Sequence, residues 1–175
     1  MSADLFFSKI ESGICEDVSF EDFINWAAEV AESMTIQHFK YGRLSAKILM
    51  DYLYDQTFNT FSEKVEYIYK HGDFFSEKFY KMVIKNKDLL DNLIDYSKDV
   101  SWTYFAILTL KRAYLLTVDG KTIERPQDML LRVALQIHGE DIENLKETYS
   151  LLSNNVYTHA SPTIFNSGST KSQLA

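Results

Sequence analysis

Near its C-terminal end the chain runs His159-Ala160-Ser161-Pro162-Thr163. Ser161 is the residue there whose type and setting point to chemistry. A hydroxyl beside the backbone N–H groups of a loop can hold phosphate oxygens. Pro162 biases the residue before it towards extended backbone, which would project the Ser161 side chain out of a helical run. The same pair also reads as a solvated serine in a cap or turn, because Ser-Pro is a common turn pair. The residues alone leave both readings open.

The other candidates are weaker. His159 has no Cys, Asp or Glu at metal-ligand spacing, and His38, His71 and His138 form no paired-ligand pattern. It is expected to be packed or hydrogen-bonded, and no metal site is expected. Cys15 is the single cysteine, so no internal disulfide can form. It stands beside Glu16 and Asp17, an acidic setting that disfavours thiolate, and reads as an inert thiol. Glu140, Asp141 and Glu143 fall at a helix start, where negative charge is favourable, so capping is expected rather than acid–base work. Tyr67, Tyr69, Phe74, Phe75, Phe79 and Tyr80 alternate with lysines, a pattern that can stack on single-stranded nucleic acid. The net charge of -7 and the helical spacing favour core packing instead, with no nucleic-acid partner. The 6 glycines never form GxGxxG or a P-loop. No catalytic residue is assigned.

The elements that must position these residues read as helices. The chain has 175 residues, of which 46% are hydrophobic, with only 2 prolines; one all-α domain of eight or nine helices with a real core is expected. No apolar run is long enough to span a membrane and no secretory signal precedes the first helix, which suits a cytoplasmic protein. Ala3 to Ile10 reads as a short helix broken at Ser12-Gly13. Ser19 caps a second that carries Phe23, Trp26, Ala27, Val30 and Met34 at helical spacing. Further helices are expected over Phe39–Leu53, Ser62–Tyr69 (capped at Ser62-Glu63), a face of Phe75, Phe79, Met82 and Val83, Lys87–Tyr96, and Ser101 to Leu116. Asp119-Gly120 signals a tight bend or hairpin. Pro126 opens a helix with Leu130, Leu131, Ala134 and Ile137 on its inner face, and Gly139 closes it. Ile142, Leu145, Tyr149 and Leu152 line the last helix. Beyond it an extended C-terminal segment is expected, with Thr163 to Phe165 as an unpaired edge.

The final stretch, ERPQDMLLRVALQIHGEDIENLKETYSLLSNNVYTHASPTIFNSG, resembles the end of the N-terminal helical domain of class I ribonucleotide reductase large subunits. The matching runs are ERPQ, RVA with IHGEDI, ETY with LLS, and THASPT with FN and G. Tyr104 to Leu116 resembles the family's preceding helix. Residues 3 to 57 distantly resemble part of the ATP cone of such subunits through Ser12-Gly13, Trp26-Ala27-Ala28-Glu29 and Lys47-Ile48. The cone's basic hairpin and first helix are missing, and acidic Asp55 stands near a usual lysine, so the resemblance implies a degenerate cone without ATP or dATP control. An allosteric nucleotide site is therefore not assigned.

The resemblance implies three regions: 1-57, a partial ATP-cone-like region; 58-158, the all-α reductase domain; and 159-175, the start of a catalytic α/β barrel. It implies reduction of ribonucleoside diphosphates to deoxyribonucleoside diphosphates for DNA precursors. The partners would be a catalytic barrel, in the same or a separate chain, and a small radical-generating subunit, with a thiol reductant. No cofactor is expected on this chain itself. Ser161 matches the family serine that contacts the substrate diphosphate, while Asn166 and Gly168 would shape the loop after it. The family's redox cysteines have no match, since Ser172-Gln173-Leu174-Ala175 stops short of the first. A dithiol needs two thiols in bonding reach, so this chain is expected to be inactive alone. A non-catalytic regulatory or interaction domain and an inactive fragment are the alternatives.

Overall fold

The computed structural model describes residues 2–14, 17–171 and 173–174; Cys15 lies outside them. The expected all-α class holds. The chain divides into two compact units, Met1–Asp55 with Val100–Leu110, and Gln56–Asp99 with Lys111–Ala175.

The first unit is built on α1 (Ala3–Glu11), α2 (Phe20–Ser33), a 3₁₀ turn at Met34–Ile36, and α3 (Lys40–Asp55). Ser19 caps α2 as expected, its Oγ accepting the Asp22 N–H at 3.1 Å. Ala27, Ala28 and Ala31 are buried on α2. Their small side chains let α3 approach closely enough for the buried Ser45 hydroxyl to donate to the Ala28 carbonyl at 2.8 Å. Phe6, Ile10, Val30, Met34 and Tyr41 fill the core. Tyr41 ties the chain start down, its hydroxyl accepting from Ser2 N at 3.0 Å and donating to Ser2 O at 2.8 Å. The break at Gly13 has a packing cause: a Cβ there would lie 2.2 Å from Trp26 Cζ2.

The second unit begins with α4 (Phe61–His71), α5 (Glu77–Lys85) and α6 (Lys87–Leu93), followed by a 3₁₀ turn at Tyr96–Ser101. The expected cap at Ser62 is corrected. Thr60 caps α4, because it stands three residues before Glu63 and the two form a capping box. Ser62 lies inside the helix and gives its N–H and hydroxyl to the Asp91 carboxylate at 2.8 and 2.6 Å. α7 (Tyr104–Ala113), whose residues up to Leu110 belong to the first unit, is shorter than the Ser101–Leu116 span expected. Thr103 sets its start, accepting the Ala106 N–H at 3.4 Å. The Asp119-Gly120 signal is borne out: β1 (Thr117–Val118) and β2 (Lys121–Thr122) pair across it, with φ of 50° and 77° at the two turn residues.

α8 (Pro126–His138) and α9 (Ile142–Ser153) follow, joined at Gly139, whose φ of 59° favours glycine. Asp141 caps α9 by accepting the Asn144 N–H, in line with the capping role expected of the acidic cluster. α8 is not amphipathic over most of its length. Every residue from Pro126 to Leu135 is buried, and only its last turn emerges, leaving Ile137 exposed rather than on the expected inner face.

The tenth helix, α10 (Ser161–Asn166), was not expected. The extended segment from Thr163 is therefore a correction. Ala160 takes the extended backbone, and Pro162 sits in the first turn of α10, where its missing N–H costs nothing. The Thr163 and Ile164 N–H groups bond back to the Ala160 carbonyl at 3.0 and 3.3 Å. Thr163 to Phe165 is accordingly no unpaired edge. Extended backbone returns at Ser167, and Ser169 makes one antiparallel bridge to Phe75.

Candidate functional site

α8 carries the polar centre of the second unit. Glu124, Arg125, Gln127, Asp128 and Arg132 are all buried on or just before it. Buried charges must be paired and hydrogen-bonded, and these are. Asp128 accepts from Lys64 Nζ at 2.8 Å, Tyr96 OH at 2.5 Å and Arg125 N at 2.7 Å. The last of these closes the N-terminus of α8. Burial drives the Lys64 ammonium below its usual range, with Asp128 pulling it back. Arg125 gives Nε to Thr57 Oγ1 at 2.7 Å. Gln127 donates to Asp99 at 3.1 Å and accepts the Tyr149 hydroxyl at 3.0 Å, and Tyr149 in turn accepts the Asp95 N–H at 3.0 Å.

Burial, reinforced by Asp95, Asp99 and Asp128, pushes the Tyr149 hydroxyl well above the usual tyrosine range. A folded-state pKa above the unfolded one means the hydroxyl's contribution is complete below pH about 10 and is lost as pH rises beyond it. Tyr149→Phe is therefore expected to cost about 1 kcal/mol near neutral pH. The gap between the two proteins should close above pH 10 in unfolding curves taken across that range. A gap independent of pH would contradict this.

The second network leads to Ser161. Arg132 is fully buried and pairs with Glu124 through both carboxylate oxygens, Nε–Oε1 at 2.6 Å and Nη2–Oε2 at 3.0 Å. Its Nη1 donates to the carbonyls of Ile164 and Ser167, each at 2.8 Å. Its guanidinium lies 5.5 Å from the centroid of the Phe74 ring. Burial pushes the Glu124 carboxyl above its usual range, opposed by Arg132. One turn further along α8, Gln136 Oε1 accepts the Gly168 N–H at 3.0 Å. Gly168 has φ of 82°, and a Cβ on it would sit 2.8 Å from the Phe75 ring, so both backbone and space require glycine.

Ser161 itself is the half-buried first residue of α10. Its Oγ lies 3.0 Å from the Tyr114 hydroxyl, and Phe165 from the same helix stacks on the Tyr114 ring at 5.0 Å. Two hydroxyls thus stand side by side. His159 is packed edge-on to Tyr157, and its Nε2 is buried without a partner among the described residues. Phe75 and Phe79 stack in the core as expected, and Tyr69 stacks on Tyr80 at 4.0 Å. Ser161 stood out in the sequence by its setting, whereas Tyr114, Glu124, Arg132 and Gln136, which surround it or hold its helix, did not. A signal for Arg132 existed: a lone charge inside Met129-Leu130-Leu131-Arg132-Val133-Ala134-Leu135 can only be buried with a partner.

A family model described as the ribonucleotide reductase all-alpha domain matches residues 100–172. The ribonucleoside-diphosphate reductase large chain of Encephalitozoon cuniculi is 41% identical over 175 residues, covering 100% of this chain and 23% of its own length. The large chain of Schizosaccharomyces pombe is 43% identical, covering 95% of this chain and 22% of its own length. The large subunit of Caenorhabditis elegans is 41% identical with the same coverage. This chain belongs to the ribonucleotide reductase large-subunit family. It matches the N-terminal portion of those relatives and spans less than a quarter of their length. In this reductase-family chain the ERPQ run is a structural hub: Glu124 and Gln127 each hold a buried partner, Arg125 holds the half-buried Thr57, and Pro126 starts α8. No helix among the described residues is long and apolar enough to cross a membrane.

Proposed function

We propose that this chain serves as the helical N-terminal part of a ribonucleoside-diphosphate reductase large subunit, contributing to the reduction of ribonucleoside diphosphates to deoxyribonucleoside diphosphates in the cytoplasm. The observation that carries this is identity of about two residues in five along the chain to proteins named as such. The single cysteine cannot supply a dithiol. The reducing thiols therefore come from a catalytic barrel, in the same or a separate chain, and the radical from a small subunit, with a thiol reductant restoring the pair. Residues 1–57 act as a degenerate ATP cone that places no control by ATP or dATP on the enzyme. Residues 159–175 lead into the barrel.

Ser161 contacts the substrate diphosphate in this reading. Its hydroxyl is half-buried and already bonded to Tyr114, so a phosphate oxygen would be met by a pre-oriented donor at low entropic cost. The test has two parts. Joining or mixing this chain with a barrel chain and a radical-generating subunit should restore ribonucleoside-diphosphate reduction. Unchanged activity would discard the split-enzyme role. In the assembled enzyme Ser161→Ala should raise KM about fivefold to tenfold, the scale of one hydrogen bond to a charged group. An unaltered KM would remove Ser161 from the substrate site.

A further inference from the structure

We infer that Arg132 and Gln136 are positioning residues that set where Ser161 stands for the diphosphate, an inference that rests on the substrate reading of Ser161. α10 has 6 residues, too few to hold a helical form by itself. Something outside it must fix it, and α8 supplies that through two side chains at i and i+4, which share one face. Arg132 takes the Ile164 and Ser167 carbonyls at the far end of α10. Gln136 takes the N–H of Gly168 just beyond. Further ties come from the segment before α5, where Ser76 N donates to the Gly168 carbonyl at 2.9 Å and Thr170 N to the Phe74 carbonyl at 3.2 Å, from Tyr114, which meets Ser161 and Phe165, and from the chain beyond, where the Leu174 carbonyl accepts Thr163 Oγ1 at 2.7 Å and the Gln173 carbonyl accepts Asn166 Nδ2 at 2.6 Å. Ser167 closes the turn with its Oγ on the Thr163 carbonyl at 2.6 Å. Ser161 lies one helical turn from Ile164. A change in how the turn at 164–168 is held therefore reaches the serine through one helical turn, whose other end meets Tyr114.

Gln136 is the residue to test, because it is only partly buried and its removal leaves the Glu124–Arg132 pair intact. Gln136→Met keeps the length and loses the acceptor, whereas Gln136→Glu keeps an acceptor oxygen. In the 175-residue chain, the Gly168 amide should exchange with solvent about fivefold faster in Gln136→Met and at the original rate in Gln136→Glu, on the scale of one hydrogen bond. In the assembled enzyme Gln136→Met should raise KM for the ribonucleoside diphosphate about fivefold with kcat unchanged, and Gln136→Glu should restore it. A residue that merely fills space would affect both variants alike and would not split KM from kcat. Equal exchange rates in all three proteins would overturn the positioning role. So would a KM that rises with Ser161→Ala but not with Gln136→Met, which leaves the substrate reading standing. A KM untouched by Ser161→Ala removes the substrate reading and this inference with it.

Discussion

Asp128→Ala is expected to destabilise the second unit by about 3–5 kcal/mol, the range for breaking a buried ion pair by removing one partner. Three donors converge on this carboxylate: Lys64 Nζ, Tyr96 OH and Arg125 N. The variant strands a lysine that is 1% exposed and uncaps α8 at the same stroke. Removing the charge on both sides should behave differently. Lys64→Met with Asp128→Leu leaves no orphaned ion, and should recover most of the loss, apart from the cap, which is worth about 1 kcal/mol. The measurement must report the right unit. Both tryptophans, Trp26 and Trp102, lie in the first unit, so their fluorescence follows that unit. Amide exchange along α8 follows the second. A single variant no less stable than the double one would contradict the account.

Arg132→Met should be of comparable size, about 3–5 kcal/mol, but with a different local signature. It leaves the Glu124 carboxylate buried, with the Leu116 N–H at 3.1 Å as its remaining described donor. It also frees the two carbonyls of the α10 turn. Glu124→Gln added to it removes the orphaned charge and should recover part of the stability. It cannot return the Ile164 and Ser167 contacts. Amides of residues 163–168 should therefore stay less protected in the double variant while those of α8 regain protection. Uniform recovery across both segments would show that Arg132 does nothing for α10 beyond neutralising Glu124.

The contrast between these two sites explains what was legible in the sequence. Periodicity, with caps and breakers, located nine of the ten α-helices among the described residues, since burying one stripe of a helix writes a repeat into the chain. Ser19, Pro126, Gly139 and Asp119-Gly120 declared their roles locally, through caps and backbone conformations that depend on a few neighbouring residues. α8 broke the rule because it is buried on every side. Such a helix has no stripe, and its charged residues are hidden rather than solvated. Ser62 misled for a similar reason: its partner, Asp91, is 29 positions away.

The sequence by itself determined the helical class and the family, because composition, local spacing and matching runs of residues are all properties of the chain as written. Only the tertiary structure decided that residues 161–166 coil into a turn of helix instead of running straight. Arg132 and Gln136, each bonded to the chain 32 positions further on, hold the C-terminal end of a segment too short to choose its own conformation. Buried polar groups must find partners, and which partners they find is settled by packing between distant segments.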